Sequence, residues 1–475
     1  MVDDRGFYEL LLGLLWLCVL LDWLWSWSQA ATAQAHHPAQ GAKRRAKDQN
    51  SFPGLIHKPH CAACDHVAEP HSPAPCAPPP PLTFTRGRRR AIDARSHFCP
   101  NLECSYYGWV RRGNIRSNGH PGGGSWRQLH CIACGRYFQE THGTPLHGKC
   151  ASAELIVCVI ACLAEGLGIR GTARVFEVDP NTVLQWLVEA AQQLQAFARH
   201  TLHDVRVQQV QLDELFALLS AVKDGAVSEA EALARLERSP QWVWVAMDPE
   251  SKLLLALDVG ARTLALAQRL VHQVAQVLAP DCVPLFLTDG FREYMTALLT
   301  HYGQWVQPPR RQAIGPLPKP RWLPLPQLLY AQVVKTVWRR RLVRVYHRVV
   351  FGTPETVNAV LAPLGCQINP AFIERLNLTI RHHGAAVGRR VTTLCKREEG
   401  LRQQLALSQV YYNFCLPPAS LRVPLPQPLP TNGTGSAQQW RPQTPAMAAG
   451  LTDRVWTLRE VLLFRVPPWP QPAMV

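Results

Sequence analysis

Nothing in this 475-residue sequence repeats at a fixed period, which excludes a solenoid or an array of identical units. Acidic side chains are scarce: 34 Asp and Glu face 50 Lys and Arg, leaving a formal charge of +16. That balance excludes an acidic protein and favours a polyanionic partner, either nucleic acid or an anionic membrane surface. The chain also lacks an uncharged apolar stretch of membrane-spanning length. An apolar run from Leu10 to Leu21 lies within residues 7–27, and it reaches about 20 residues only by including Glu9 and Asp22. The leading MVDDR lacks the positive charge of a secretory leader, although Ala31, Ala33 and Ala35 resemble a cleavage site. Lys43, Arg44, Arg45 and Lys47 follow the run, so its insertion would leave the bulk of the chain in the cytoplasm. The expectation is a cytoplasmic, nucleoid-associated protein, with residues 1–28 as a candidate membrane anchor.

A chain of this length exceeds what one hydrophobic core usually organises, so several units are expected. Forty prolines crowd into 70–81, 308–326 and 417–445, marking linkers or loops. Residues 29–96 show neither helical nor strand periodicity and read as a proline-rich, basic linker. Within it, His57, His60, Cys61, Cys64, His66 and Cys76 are a weak second metal set, for which solvated linker is the simpler reading. A cysteine module follows over 97–148, helices over 150–202, and alternating strands and helices over 205–415. Residues 416–475 are a proline-rich spacer with one last helix through Val455, Leu458, Leu462 and Leu463. The fold class is therefore multi-domain α/β. Of the fifteen cysteines, Cys61/Cys64 and Cys131/Cys134 have metal-ligand spacing and Cys158 and Cys162 sit in an apolar helical pattern, which suits a reducing compartment.

Cys99 and Cys104 are separated by four residues and Cys131 and Cys134 by two, with 26 residues between the pairs. Four thiolates on two knuckles complete a tetrahedral zinc shell with no open position, so the zinc is structural. Asn118-Gly119 and Gly122 to Gly124 supply turns before the strand-like WRQLHC, the pattern of a zinc ribbon. His130, His142 and His147 read as ordinary polar surface. Next, Leu155, Ile156, Val159, Ile160 and Leu163 keep a helical period that Gly166 and Gly168 break. A short helix carries Arg170 to Phe176, and Asp179 caps a third helix beginning at Pro180. This is a helix-turn-helix pattern in which Asn181, Thr182 and Gln185 face DNA while Val183, Leu184 and Leu187 are buried; a plain helical bundle is the alternative.

Val205 to Leu212 reads as a strand with Gln211 and Asp213 on one face, Asp213 standing at its end. WVWVAMD and KLLLALDVG form a hairpin, an amphipathic helix covers 262–279, and PLFLTDG is a buried strand ending at Asp289. FIERLNLTIRHH places Glu374, Asn377 and Arg381 on one helical stripe beside Ile373, Leu376 and Ile380. Asp213, Asp289 and Glu374 are hard oxygen ligands, suited to a pair of magnesium (or manganese) ions that activate water or a 3′-hydroxyl and stabilise the leaving oxygen in phosphodiester displacement. Singly each acid is weak evidence; Asp248 and Asp258 compete with the aspartates, and Glu355, Glu398 and Glu399 with Glu374. Arg381 is a candidate phosphate clamp. In KTVWRRRLVRVYHR (335–348), Lys335, Arg339, Arg340, Arg341, Arg344 and Arg348 interleave with Trp338 and Tyr346, a strand suited to DNA phosphates. RGRRR at 86–90 is a weaker basic patch.

From Phe98 to Leu463 the chain resembles DDE-type insertion-sequence transposases, particularly the insertion-sequence-one-like group with an amino-terminal zinc ribbon. The segments that carry the resemblance are NGHPGGGSWRQLHCIACGRYFQETHGTPLHGK, VQLDELFAL, WVWVAMDPESKLLLAL, PLFLTDG, IERLNLTIRHH and TPAMAAGLTDRVWTLRE. The resemblance implies an RNase H-like core in which Asp213, Asp289 and Glu374 match the catalytic triad and bind magnesium for strand cleavage and strand transfer. It also implies that Cys99, Cys104, Cys131 and Cys134 match the ribbon ligands, and that at least a dimer assembles on double-stranded DNA. Two features depart from the pattern, the apolar run at 7–27 and the charged segment SEAEALARLERS after Asp213. The competing function classes are an inert zinc-ribbon and helix-turn-helix DNA-binding regulator, and a membrane-tethered form of it.

Overall fold

Asn118-Gly119 and the glycines at 122–124 do break the chain between short extended runs, with Gly119 and Gly123 at φ of 72° and 68°. The runs pair as an antiparallel sheet of β1 (Ile115–Ser117), β2 (Gln128–Cys131) and β3 (Tyr137–Gln139). The computed structural model describes residues 78–82, 97–218, 240–310, 317–339, 341–387, 395, 397–430 and 436–471. The apolar run at 7–27, the Cys61/Cys64 group, RGRRR, SEAEALARLERS and Arg340 lie outside the described residues. Among the described residues no helix is long and apolar enough to cross a membrane. The chain divides into two compact units, Met1–Ser72 with Thr336–Arg344, and Pro73–Lys335 with Val345–Val475. The second unit holds all that follows, apart from Thr336–Arg344, which is described by itself.

Three helices succeed the small sheet: α1 (Ala153–Ala164), α2 (Ile169–Phe176) and α3 (Pro180–Thr201). Each start has a local cause. Ser152 Oγ accepts from Leu155 N at the head of α1, and Asp179 Oδ1 accepts from Asn181 N at 2.8 Å ahead of Pro180. On α3 the buried stripe is Val183, Trp186, Leu187, Ala190, Leu194 and Phe197. Leu184, expected inside, is 41% exposed, because the 3.6-residue period that buries Val183 and Leu187 turns position 184 outward.

The central sheet has six strands in the order β11-β10-β7-β4-β5-β6. They are β4 (Gln209–Leu218), β5 (Pro240–Met247), β6 (Leu254–Gly260), β7 (Leu285–Thr288), β10 (Leu329–Trp338) and β11 (Arg341–Phe351). β4, β5 and β6 form an antiparallel meander; α4 (Leu264–Val277) then returns the chain so that β7 lies parallel to β4, and β10 parallel to β7. Between β7 and β10 come α5 (Glu293–Tyr302) and the short pair β8 (Gly303–Val306) and β9 (Arg321–Pro324). The mixed sheet is covered on both faces. On β5, Trp244 and Ala246 join the core under α3, α4 and α5, whereas Val243, Val245 and Met247 pack under α7 (Ala371–His383) and α8 (Glu398–Val410). The helix α6 (Pro354–Leu361) covers β7 and β10 through Val357 and Leu361.

The carboxyl-terminal region differs from the expected spacer and single helix. It contains a hairpin, β12 (Val423–Leu429) with β13 (Gln438–Arg441), and two short helices, Pro445–Ala448 and Leu458–Leu463. Gly450, at φ of 74°, ends the first, and Thr457 caps the second in a capping box with Glu460. The tail then clasps the cysteine module: Arg465 donates to Phe98 O at 3.0 Å, and Gln471 Nε2 to Gly108 O at 3.0 Å.

Candidate functional site

β4 and β7 are parallel with Gln211 opposite Leu287, so Asp213 and Asp289, each two residues further on, come level with one another. β7 ends at Thr288, whereas β4 runs on to Leu218 paired with β5. Among the described residues no strand continues β7 alongside Asp213 and Glu214, and side chains from both faces of β4 reach the same gap. One carboxylate oxygen each from Asp213, Glu214 and Asp289 lies within 4.8 Å of the other two. The expected strand end at Leu212 is thus replaced by a longer strand: pairing with β5 carries β4 through the two acids to Leu218.

Asp213 is oriented by two donors, the Glu214 N–H to Oδ1 at 2.9 Å and Asn377 Nδ2 to Oδ2 at 2.7 Å. Asp289 Oδ1 accepts from Phe291 N at 2.8 Å. The Glu214 side chain is only 1% exposed. The buried Tyr294 hydroxyl stands against this carboxylate and favours its ionised form. Glu214 Oε2 lies 3.3 Å from Arg262 Nη2, which is also 3.7 Å from Asp289 Oδ2. Burial, and then the Asp289 carboxylate, push Asp213 up to about 7 and Glu214 up to about 8, in the second case against the pull of Arg262. Hard oxygen donors this close, two of them pushed towards the protonated state by burial and then by the Asp289 charge, fit a divalent cation such as magnesium or manganese.

Gln211 stands two residues before Asp213 and on the same face. Its Oε1 accepts from Ile373 N at 3.0 Å and its Nε2 donates to Asn369 O at 2.9 Å, tying the start of α7 to β4. Asn377, one turn along, completes the tie through Asp213. Glu374 lies between these contacts. It is half exposed, bonded to Lys335 Nζ at 2.8 Å, and outside the group of three, although its charge contributes to the raised Asp213. Of the expected acids, Asp213 and Asp289 come together and Glu374 stands at their margin. Glu214 was missed because alternation assigns it to the opposite face. Gln211 and Asn377 already shared a face or stripe with an acid in the sequence, and Arg262 had no local signal.

The competing acids have other duties. Asp258 is buried and held by Arg269 and by Arg402 at 2.6 Å, and Asp248 accepts from Glu250 N and Ser251 N in the β5–β6 turn. Glu398 pairs with Arg402 at 2.7 Å, Glu399 accepts from Gln403, and Glu355 is exposed in the first turn of α6.

A second cluster joins Cys99, Cys104, Cys131 and Cys134, one sulfur each within 4.8 Å of the others. Cys99 to Cys134 is 3.6 Å and Cys104 to Cys131 is 3.9 Å. Asn114 Nδ2 points at Cys131 Sγ and Tyr106 N at Cys104 Sγ, both at 3.4 Å. Donors aimed at sulfur suit thiolates, and four soft donors in this arrangement fit zinc. Burial pushes Cys104 up to about 11; at Cys134 the same burial is outweighed by hydrogen bonds, led by that from Arg136, and the thiol falls to about 7.

On α3, Asn181 is exposed, Thr182 half-buried, and Gln185 exposed with its amide donating to Glu189 at 3.0 Å. Arg381 is half-buried in the last turn of α7. Within Thr336–Arg344, Arg339, Arg341 and Arg344 are exposed alongside Trp338 at 68% and Val343 at 63%.

No protein-family profile matches the chain, and no curated protein matches it. Solved structures do. The chain is similar to a Mos1 strand transfer complex at 14% identity and a TM-score of 0.12, over 31% of this chain and 55% of that one. It is similar to a Mos1 transposase paired-end complex with the left transposon end at 17% identity and a TM-score of 0.13, over 32% and 58%. A pre-cleavage Mos1 transpososome matches at 15% identity and a TM-score of 0.12, over 32% and 59%. The chain therefore spans a little over half the length of the solved chains it matches.

Proposed function

We propose that this chain is a DNA transposase of the DDE type that cuts and joins DNA at the ends of a mobile element. The observation that carries the reading is the meeting of the Asp213, Glu214 and Asp289 carboxylates within 4.8 Å at the point where β7 stops. The mixed sheet with its parallel β4–β7 pair is compatible with the RNase H-like core that the sequence resemblance implies. Asp213 and Asp289 would hold the divalent cation, with Glu374 at their margin as the third acid of the set. When bound, magnesium or manganese supplies Lewis-acid activation of a water or 3′-hydroxyl and stabilises the leaving oxygen. Gln211 and Asn377 keep α7 at a fixed height over β4, and Arg381 and Lys335 meet phosphates. The thiol cluster is a structural zinc ribbon, and α1 to α3 are a helix-turn-helix that offers Asn181, Thr182 and Gln185 to base edges. Exposed Arg339, Arg341 and Arg344, together with Arg340, add affinity for the DNA backbone.

The test is cleavage and joining of end-bearing duplex DNA by the full chain with magnesium or manganese. Activity that disappears in Asp213→Asn and in Asp289→Asn supports the reading. Specific binding without metal-dependent cleavage would instead identify a DNA-binding regulator built on the same fold.

A further inference from the structure

Between Glu293 and Glu355 the sequence holds no acidic residue but ten Lys and Arg, so whatever this stretch presents to solvent is neutral or positive. The β8–β9 hairpin lies in its first half. Trp305 and Trp322 are register partners across the hairpin, with ring centroids 5.6 Å apart and planes at 60°. Neither ring is sunk in a core: Trp305 is 60% exposed and Trp322 38%, and Leu317 near them is 56% exposed. Arg310, Lys319 and Arg321 on the same hairpin are exposed as well. The support is stiff. Pro308, Pro309, Pro318, Pro320 and Pro324 restrict its backbone, and the Gln307 amide donates to Pro318 O. At the base, Leu325 N donates to Tyr302 O at 2.9 Å, and Gly303 packs so tightly that a Cβ there would stand 2.3 Å from Leu299 O.

Two indoles held in water on a rigid hairpin, among positive charges and no negative one, match the flat faces and phosphates of nucleotides. A base offers its face only when it is out of the duplex stack. A second copy of the same hairpin is a poor occupant, because a two-fold contact would set basic side chains against basic side chains. We infer that the β8–β9 hairpin is a stacking platform for single-stranded DNA, with Trp305 and Trp322 taking base faces and Arg310, Lys319 and Arg321 the phosphates. The choice of DNA rests on the preceding reading; the stacking on unpaired bases does not. Because the platform is preformed, little ordering is needed on binding.

Metal-free binding of a short labelled oligothymidylate to the full chain, set against a duplex of the same length, tests this. The Trp305→Ala/Trp322→Ala double variant should bind the single strand about tenfold more weakly and the duplex within about twofold of the wild type. Trp305→Phe/Trp322→Phe keeps two ring faces and should recover most of the single-strand affinity. Arg321→Gln should lower the salt slope for the single strand by about 0.7. A measurement that needs no variant to fold is ultraviolet crosslinking of a bromodeoxyuridine-substituted strand to the wild type, which should map to Trp305 or Trp322. Crosslinks confined to other segments, or unchanged single-strand affinity in the double alanine variant, overturn the platform. A double alanine variant that sediments differently but binds the strand as before assigns the rings to a protein contact and overturns it too. No metal and no cleavage enter these measurements, so their failure is distinguishable from failure of the transposase reading.

Discussion

The thiol cluster and the carboxylate cluster are both groups of ligand atoms within 4.8 Å of one another, and they are built in opposite ways. Cys99, Cys104, Cys131 and Cys134 come from two knuckles of a module barely fifty residues long, with Cys99, Cys104 and Cys131 buried. Backbone and amide donors aim at the sulfurs. The carboxylates come from two strands 76 positions apart, beside a helix that starts at Ala371, and Asp289 remains 42% exposed. The first is closed and suited to holding shape; the second is open on one side and suited to chemistry. A small module without much apolar core depends on its ligands for folding, whereas a sheet covered on both faces does not.

The sharpest way to break that comparison is Cys131→Ser. Zinc content should fall and residues 97–148 should lose protection from hydrogen exchange, while the six-stranded sheet keeps its cooperative melt; loss of both together would show that the tail clasp makes them one folding unit. Asp213→Asn and Asp289→Asn should do the reverse, bringing metal-dependent cleavage to its level without metal while the thiol module keeps its zinc. Gln211→Ala and Asn377→Ala should lower metal affinity or activity by about 10–100-fold with the fold retained, as expected for groups that only orient a ligand; an unchanged activity would detach α7 from the chemistry.

The metal-free protein should also respond to pH in a defined direction. Asp213 at about 7 and Glu214 at about 8 hold protons in the folded chain over a range where an unfolded carboxyl has lost them. The stability that results is fully present below about pH 4, the ordinary carboxyl range. It is lost as the pH rises through 7 and 8. The melting temperature should therefore fall by several degrees between pH 6 and 9, and manganese should restore it at pH 8. The smallest effect concerns the basic segment: Arg341→Gln should weaken DNA binding evenly across sequences and reduce the salt slope by about one.

Much of the architecture was legible along the chain. Apolar alternation announced β5, β6 and β7, Asp179-Pro180 announced the start of α3, and the cysteine spacing announced the thiol cluster, because in each case the cause is local. The carboxylate site was legible only in part. Asp213 and Asp289 stand at positions that strand patterning marks, but Leu184 and Glu214 show how one residue's outlook changes with its neighbours. Leu184 fell outside the buried stripe because the helical period that buries Val183, Trp186 and Leu187 turns it outward, and Glu214 entered the site because β7 ended one residue before Asp289.

By itself, the sequence determined the strands β5, β6 and β7, the helix that begins at Pro180, which thiols are paired at ligand spacing, and which acids follow buried apolar runs, since these depend on period and nearest neighbours. Only the tertiary structure decided that Glu214 joins the aspartates, that Gln211 and Asn377 fasten α7 above them, that Lys335 pairs with Glu374, and that Arg262 reaches Glu214. Those outcomes depend on strand register and on where one strand stops, and neither is encoded by the residues that meet there.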